Sequence, residues 1–323
     1  MTDKNGSNHR QILENIAYRA MLSRGLLPDF STAALAELDK LQSPAKPQDE
    51  LDNSSNGVRD MRNLLWASID NDDSRDLDQL TVAEALPDGK VKIQVAVADV
   101  DSLVKKGSAI DEHARHNTTS VYTAARIFPM LPEKLSTGLT SLNFNEDRGS
   151  IVIEIIVNAD GSLSDSDIYR AVVRNHAQLA YKSVAAWLDG KGDIPAKLEA
   201  IDGLSENIPL QDKAALEMKK FRHDHGALSL DTIETKPIFD GDTIRDLEPD
   251  ERNRARDLIE DFMIAANGAV SRYLSAKNFP SIRRIVRTPK RWERIVQLAD
   301  EHGFKLSMVP DSKELEKFLK SGK

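Results

Sequence analysis

Between two apolar runs, LLWASI and LTVAEAL, the chain carries Asp70-Asn-Asp-Asp-Ser-Arg-Asp76-Leu-Asp78-Gln79, five aspartates within nine residues. No compact fold can bury such a segment unaided, because like charges repel strongly away from water. If LLWASID is a strand ending on Asp70 and residues 76–80 open the next, alternation puts Asp76 and Asp78 on one face. Leu77 then points the other way, into a core. A loop of five residues (71–75) can fold Asp70 back beside that pair. Three converging carboxylates suit a hard divalent cation, Mg²⁺ or Mn²⁺. On composition alone a solvated acidic loop is the plainer reading. A calcium-hand loop fails in detail, with Arg75 at its sixth position and Thr81 at its twelfth.

The rest of the chain sorts by periodicity. Apolar residues at helical spacing predict helices over 10–24, closed by Gly25, and over AALAELDKL, capped by Ser31 or Thr32. A segment rich in Pro, Ser and Asn, 43–57, is read as a linker, so residues 1–42 form a helical segment, either a separate module or an arm. From 58 to 323 strands come first. One hairpin turns at Pro87-Asp88-Gly89 and a second at Asp160-Gly161. Helices are predicted at 178–189, 194–201, 210–222 and 249–277, interrupted by a strand pair at 227–247, with helical stretches at 290–303 and 311–320. Strands segregated from helices predict an α+β fold. Trp66 and Trp187 read as core and Trp292 as an edge residue. The chain has no cysteine and a net charge of −8, which excludes thiolate chemistry and a wholly electrostatic nucleic-acid binder. No apolar run approaches the roughly 20 residues of a membrane span, and the polar opening MTDKNGSNHR is unlike a secretory leader, so the expected location is the cytoplasm.

Several blocks then carry a resemblance. SIDNDDSRDLDQLTVAE resembles the metal-binding signature of the RNB exoribonucleases. VAVADVDSLVKKGSAIDEHARHNTTSVYTAARIFPMLPEKLSTGLTSLNFNEDR is similar to that family's longest block, and LIEDFMIAAN (258–267) resembles its glutamate-bearing helix. HGALSLDT and FPSIRRIVRTP fit as well. The resemblance implies the RNB catalytic fold, a mixed or antiparallel sheet surrounded by helices. It also implies processive 3′-to-5′ hydrolysis of single-stranded RNA to nucleoside 5′-monophosphates, with Mg²⁺ as cofactor. Asp70, Asp76 and Asp78 match the family's metal and catalytic aspartates. Tyr122 matches a base-stacking tyrosine, and Tyr181 a second tyrosine near the terminal nucleotide. Glu260 matches the helix glutamate near the scissile phosphate, with Asp261 as the competing assignment.

Two departures bear on activity. Gln79 stands at the signature's fourth acidic position, where its carbonyl can still ligate a cation. Asp70 and Gln79 would hold one ion, and Asp76 and Asp78 a second or the attacking water. The resemblance also implies an arginine in a later Ser-Pro-Ile-Arg-Arg-Tyr-like segment, distinct from Ser281-Ile-Arg-Arg, and none occurs before Lys323. The expectation is therefore a C-terminally incomplete chain that cuts slowly or not at all, or an RNA-binding remnant. Arg283, Arg284 and Arg287, continued by Lys290, Arg291 and Arg294, would line an RNA path or a solvated face. His113 with His116, and His223 with His225, read as surface pairs and not as zinc ligands, because no third ligand is evident.

Overall fold

The computed structural model describes residues 9–44, 57–228, 235–249, 252–283 and 289–321. Two helices, α1 (His9–Ser23) and α2 (Thr32–Lys40), precede a strand-rich half. That half holds β1 (Arg59–Asp60), β2 (Ala67–Asp70), β3 (Gln79–Ala85), β4 (Val91–Ala98), α3 (Ala109–Asn117), β5 (Val121–Tyr122), β6 (Ile127–Phe128), β7 (Asp147–Val157), β8 (Leu163–Arg174) and β9 (Ala177–Ala180). The helical half follows: α4 (Tyr181–Leu188), α5 (Ala196–Glu199), α6 (Leu204–Asp224), the hairpin β10 (Thr235–Asp240) and β11 (Thr243–Pro249), α7 (Arg254–Ala276), α8 (Trp292–Glu301) and α9 (Ser312–Ser321).

A seven-stranded mixed sheet, in the order β1-β8-β7-β4-β3-β2-β9, forms the centre. Its interior is antiparallel, while β1 on β8 and β9 on β2 pair parallel at the two edges. Period-two alternation builds two cores. Ile93, Val95, Ile153 and Ile155 face α6 and α7, meeting Ile208, Met218, Leu258 and Phe262. Leu80, Val82, Ala96 and Val152 face the other way, around Trp66 and Leu77. The second hairpin turns where expected. Gly161 has a φ of +81°, and a Cβ there would sit 2.1 Å from the Glu217 carbonyl oxygen, so the turn packs against α6 only as glycine.

Several expectations change. The strand opens at Gln79, not Asp76: the Asp78 carbonyl still accepts from Ala98 N of β4 at 3.0 Å, but Leu77 bonds to a neighbouring loop. Leu77 N donates to Ser141 Oγ (3.0 Å), and Leu142 N to Leu77 O (2.8 Å). Residues 178–180 are strand, because they pair with β2; the helix starts at Tyr181. The 249–277 helix starts at Arg254, where the Asn253 side chain accepts from Arg256 N. Ser31 is the cap of α2. Trp292 is buried, with its indole N–H on Ser307 O, and Trp187 is half-buried against the main core. His113 is buried against the Phe30 ring, not at the surface. The helical segment packs as an arm: Ala34 sits in one cluster with Val104, Ile110 and Leu135. Most of 43–57 lies outside the described residues.

Candidate active site

The site lies where two strands part. β2 and β3 share one register pair, Ala67 with Thr81, after which β2 follows β9 as far as Asp70 opposite Ala180. Continuing the first register would set Asp70 across from Asp78. The ladder stops instead, and the acidic loop fills the gap.

Asp70 is 9% exposed. Its Oδ1 accepts from Gln79 Nε2 at 3.0 Å, while its Oδ2 is buried with no hydrogen-bond partner. Burial raises its carboxyl to about 6; Gln79 opposes that rise, and the charges of Asp78 and Asp76 add to it. Asp78 is likewise raised to about 6, by crowding of the carboxyl among protein atoms and then by Asp76, although the residue as a whole is exposed. The three aspartates are thus near enough to act on one another.

Both tyrosines belong to the same neighbourhood. Tyr122, 67% exposed, has its phenol raised by partial burial, by the charges of Asp76 and Asp78, and by a hydrogen bond with Asp76. Tyr181, the first residue of α4, is pushed up to about 12 by burial and by Asp70, against an opposing pull from Arg256. The Arg256 guanidinium lies 5.5 Å from the Tyr181 ring centroid and donates to Asn71 Oδ1 at 3.2 Å. Tyr181, Arg256 and Asn71 line a cavity of about 880 Å³ together with Asp73, Lys182 and Arg252, whereas Asp70, Asp76, Asp78, Gln79 and Tyr122 are not part of that lining.

Glu260 is exposed and ion-paired with Arg252, which lines the cavity beside Tyr181. Asp261, the competing assignment, is buried and ion-paired with Arg222. Arg283 bonds to Ser275 Oγ at the C-terminal end of α7, and Arg284 and Arg287 lie outside the described residues. Gln79 turns its amide nitrogen, not its carbonyl, toward Asp70. Lys182, Arg252 and Arg256 were missed. The signal was present in RNRAR, a basic stretch immediately before the acidic turn of α7.

The donor set fits a hard cation. Among the described residues no three His, Asp or Glu side chains close around one point as a cage. A small hard cation does not require one, since it is commonly held by one or two carboxylates completed by water and substrate phosphate. Asp70 Oδ2, buried and unpartnered, is a ligand atom of that kind. Buried polar atoms are otherwise nearly always bonded.

The chain matches the RNB domain over residues 58–322 and belongs to the RNB family. It is 36% identical over 234 residues to Ribonuclease R of Vibrio parahaemolyticus, covering 72% of this chain and 28% of that protein. With Ribonuclease R of Escherichia coli K12 it shares 35% over 234 residues, covering 71% and 28%. The chain thus spans less than a third of the length of these relatives. Among solved structures, Mycoplasma genitalium RNase R in complex with ribose methylated single-stranded RNA superposes with a TM-score of 0.86 at 22% identity, over 96% of this chain and 48% of that one. Yeast Ssd1, described as a pseudonuclease, superposes at 0.64 and 13% identity, over 86% and 33%. At these identities the structures establish the shared fold. Among the described residues no helix is long and apolar enough to cross a membrane.

Proposed function

We propose that the chain hydrolyses single-stranded RNA processively from its 3′ end, releasing nucleoside 5′-monophosphates with Mg²⁺ as cofactor, in the cytoplasm. The observation that carries this reading is Asp70: a buried carboxylate oxygen without a protein partner, beside two further acids, within a matched RNB domain. Asp70, Asp76 and Asp78 would hold the ion, joined by the Gln79 carbonyl if its amide rotates. When bound, Mg²⁺ (or Mn²⁺) offsets charge on the phosphate oxygens and eases ionisation of water near neutral pH.

The chain's own residues do the rest. Asp78, together with Asp76, would hold an ion or orient the attacking water. Tyr122 offers an exposed ring to a base, a contact indifferent to sequence and worth about 1–3 kcal/mol. Tyr181 stands beside Asp70, where a terminal nucleotide would meet it. The Arg256 guanidinium faces the same cavity and can contact a phosphate oxygen.

Incubating the chain with 5′-labelled single-stranded RNA and Mg²⁺ tests this. Conversion of the full-length labelled strand to a short labelled end product with few intermediates, and nucleoside 5′-monophosphates as the other product, is the expected result. Internal cuts, a ladder of accumulating intermediates, or shortening that survives chelation would contradict it. Binding without shortening would favour the second reading, an RNA-binding protein with impaired turnover. That reading has its own support in Gln79, which brings no negative charge and donates to Asp70.

A further inference from the structure

A second cavity, about 970 Å³, also touches the acidic loop, at Asp73. One wall is the N-terminal arm, represented by Phe30 and Leu35, and a second wall includes Arg126, Ile127 and Lys134. Asp73 also lines the cavity beside Tyr181, so the two hollows meet at that residue. The β5–β6 pair runs from Tyr122 directly into this second wall.

The arm is a fixed part of that wall. Asn117 exchanges two hydrogen bonds with the Leu27 backbone, at 2.9 and 2.8 Å. The Glu37 carboxylate accepts from Ala109 N at 2.7 Å and Ile110 N at 3.3 Å, capping the first turn of α3 from outside it. His116 Nε2 lies 2.7 Å from Gly25 O.

The surface chemistry alternates apolar faces with cations. Ile127 is 52% exposed, beside Tyr122. The Arg126 guanidinium lies 4.6 Å from the Phe128 ring centroid and 3.4 Å from Asp29, and Lys134 Nζ donates to Leu38 O at 3.2 Å. An exposed pair such as Arg126 with Asp29 is weak and readily exchanged for a phosphate. Asp29, Asp73 and Glu133 also line the groove, so its charge is mixed and the cations must act locally.

We infer that this groove is an upstream subsite for a single polynucleotide strand. Arg126 and Lys134 take backbone phosphates while Tyr122 and Ile127 meet the bases. The inference rests on the RNA reading above and gives residues 9–44 a role in holding the strand behind its reacting end.

The test is affinity against strand length. The probes are short and long 5′-labelled oligouridylates, binding to the full chain carrying Asp78→Asn so that the probe is not consumed. With Arg126→Gln and Lys134→Gln added, long-strand affinity is expected to fall about tenfold or more. The slope of log K against log salt should shrink by roughly 1–1.5, at ~0.7 per phosphate contact. Short-strand affinity should change less than about twofold, so the gain from lengthening is lost. Arg126→Lys should restore part of that gain, which separates lost charge from misfolding. Equal losses on short and long strands, or no loss on either, would overturn the subsite. A parent chain that binds without length dependence overturns the subsite alone, and one that binds no strand of any length overturns the RNA reading with it.

Discussion

Asp70 and Asp261 are both buried, and burial raises both carboxyls to about 6. Their surroundings are opposite. Asp261 is opposed by Arg222 and Lys219, cations of its own chain, and is ion-paired with the first. Asp70 has one amide donor and two further acids beside it. One buried charge is settled by the fold; the other is left for a cation from outside. The contrast separates a structural carboxylate from a functional one where burial and protonation alone do not, and four changes test it.

The largest effect is expected at the acidic loop. Asp78→Asn should slow RNA shortening by at least 10²–10³, the scale on which a preorganised electrostatic group acts. The folded chain should keep its melting temperature, so end-labelled digestion and a thermal melt together check the point. Next comes Arg222→Met, which strands Asp261. A fully buried pair broken this way costs about 3–5 kcal/mol. Arg222 is about one-third exposed, so about 2 kcal/mol is expected in urea unfolding. A neutral outcome would show that Asp261 does not depend on Arg222. Tyr122→Ala should weaken single-stranded RNA binding by about 1–3 kcal/mol with little change in stability.

The last change, spread over several pH units, is in pH dependence. A carboxyl raised from 3.8 to about 6 binds its proton more tightly in the folded state. Its contribution to stability is complete below about 3.8 and is lost as pH rises through 6. Wild type should therefore gain stability relative to Asp261→Asn as pH falls from 7 toward 4. Identical profiles would refute the raised value.

Much of the sheet was legible because alternation is local. Both hairpins and a cap at Ser31 or Thr32 follow from neighbouring residues, whereas Leu77 is buried from a loop ahead of the strand that was expected to carry it. What was not legible depended on distant partners. Residues 178–180 carry a helix-compatible pattern and become strand because β2 needs an edge partner. Trp292 is buried because α9 folds back over it. Glu260 and Asp261 differ by one position, a turn of about 100° on a helix. With Leu258, Phe262 and Ala265 facing the core, Asp261 takes the inner side and Glu260 the outer. That phase could have been read in advance. The place of Arg256 against Tyr181 could not, since it depends on how α7 docks beside α4.

Calorimetric titration of the folded chain with Mg²⁺ at pH 7, beside Asp70→Asn, addresses the central claim most directly. Saturable binding in the wild type, with proton release and marked weakening in the variant, is predicted. No uptake by the wild type, or equal uptake by both, would mean that Asp70 awaits no cation and would remove the basis of the nuclease reading.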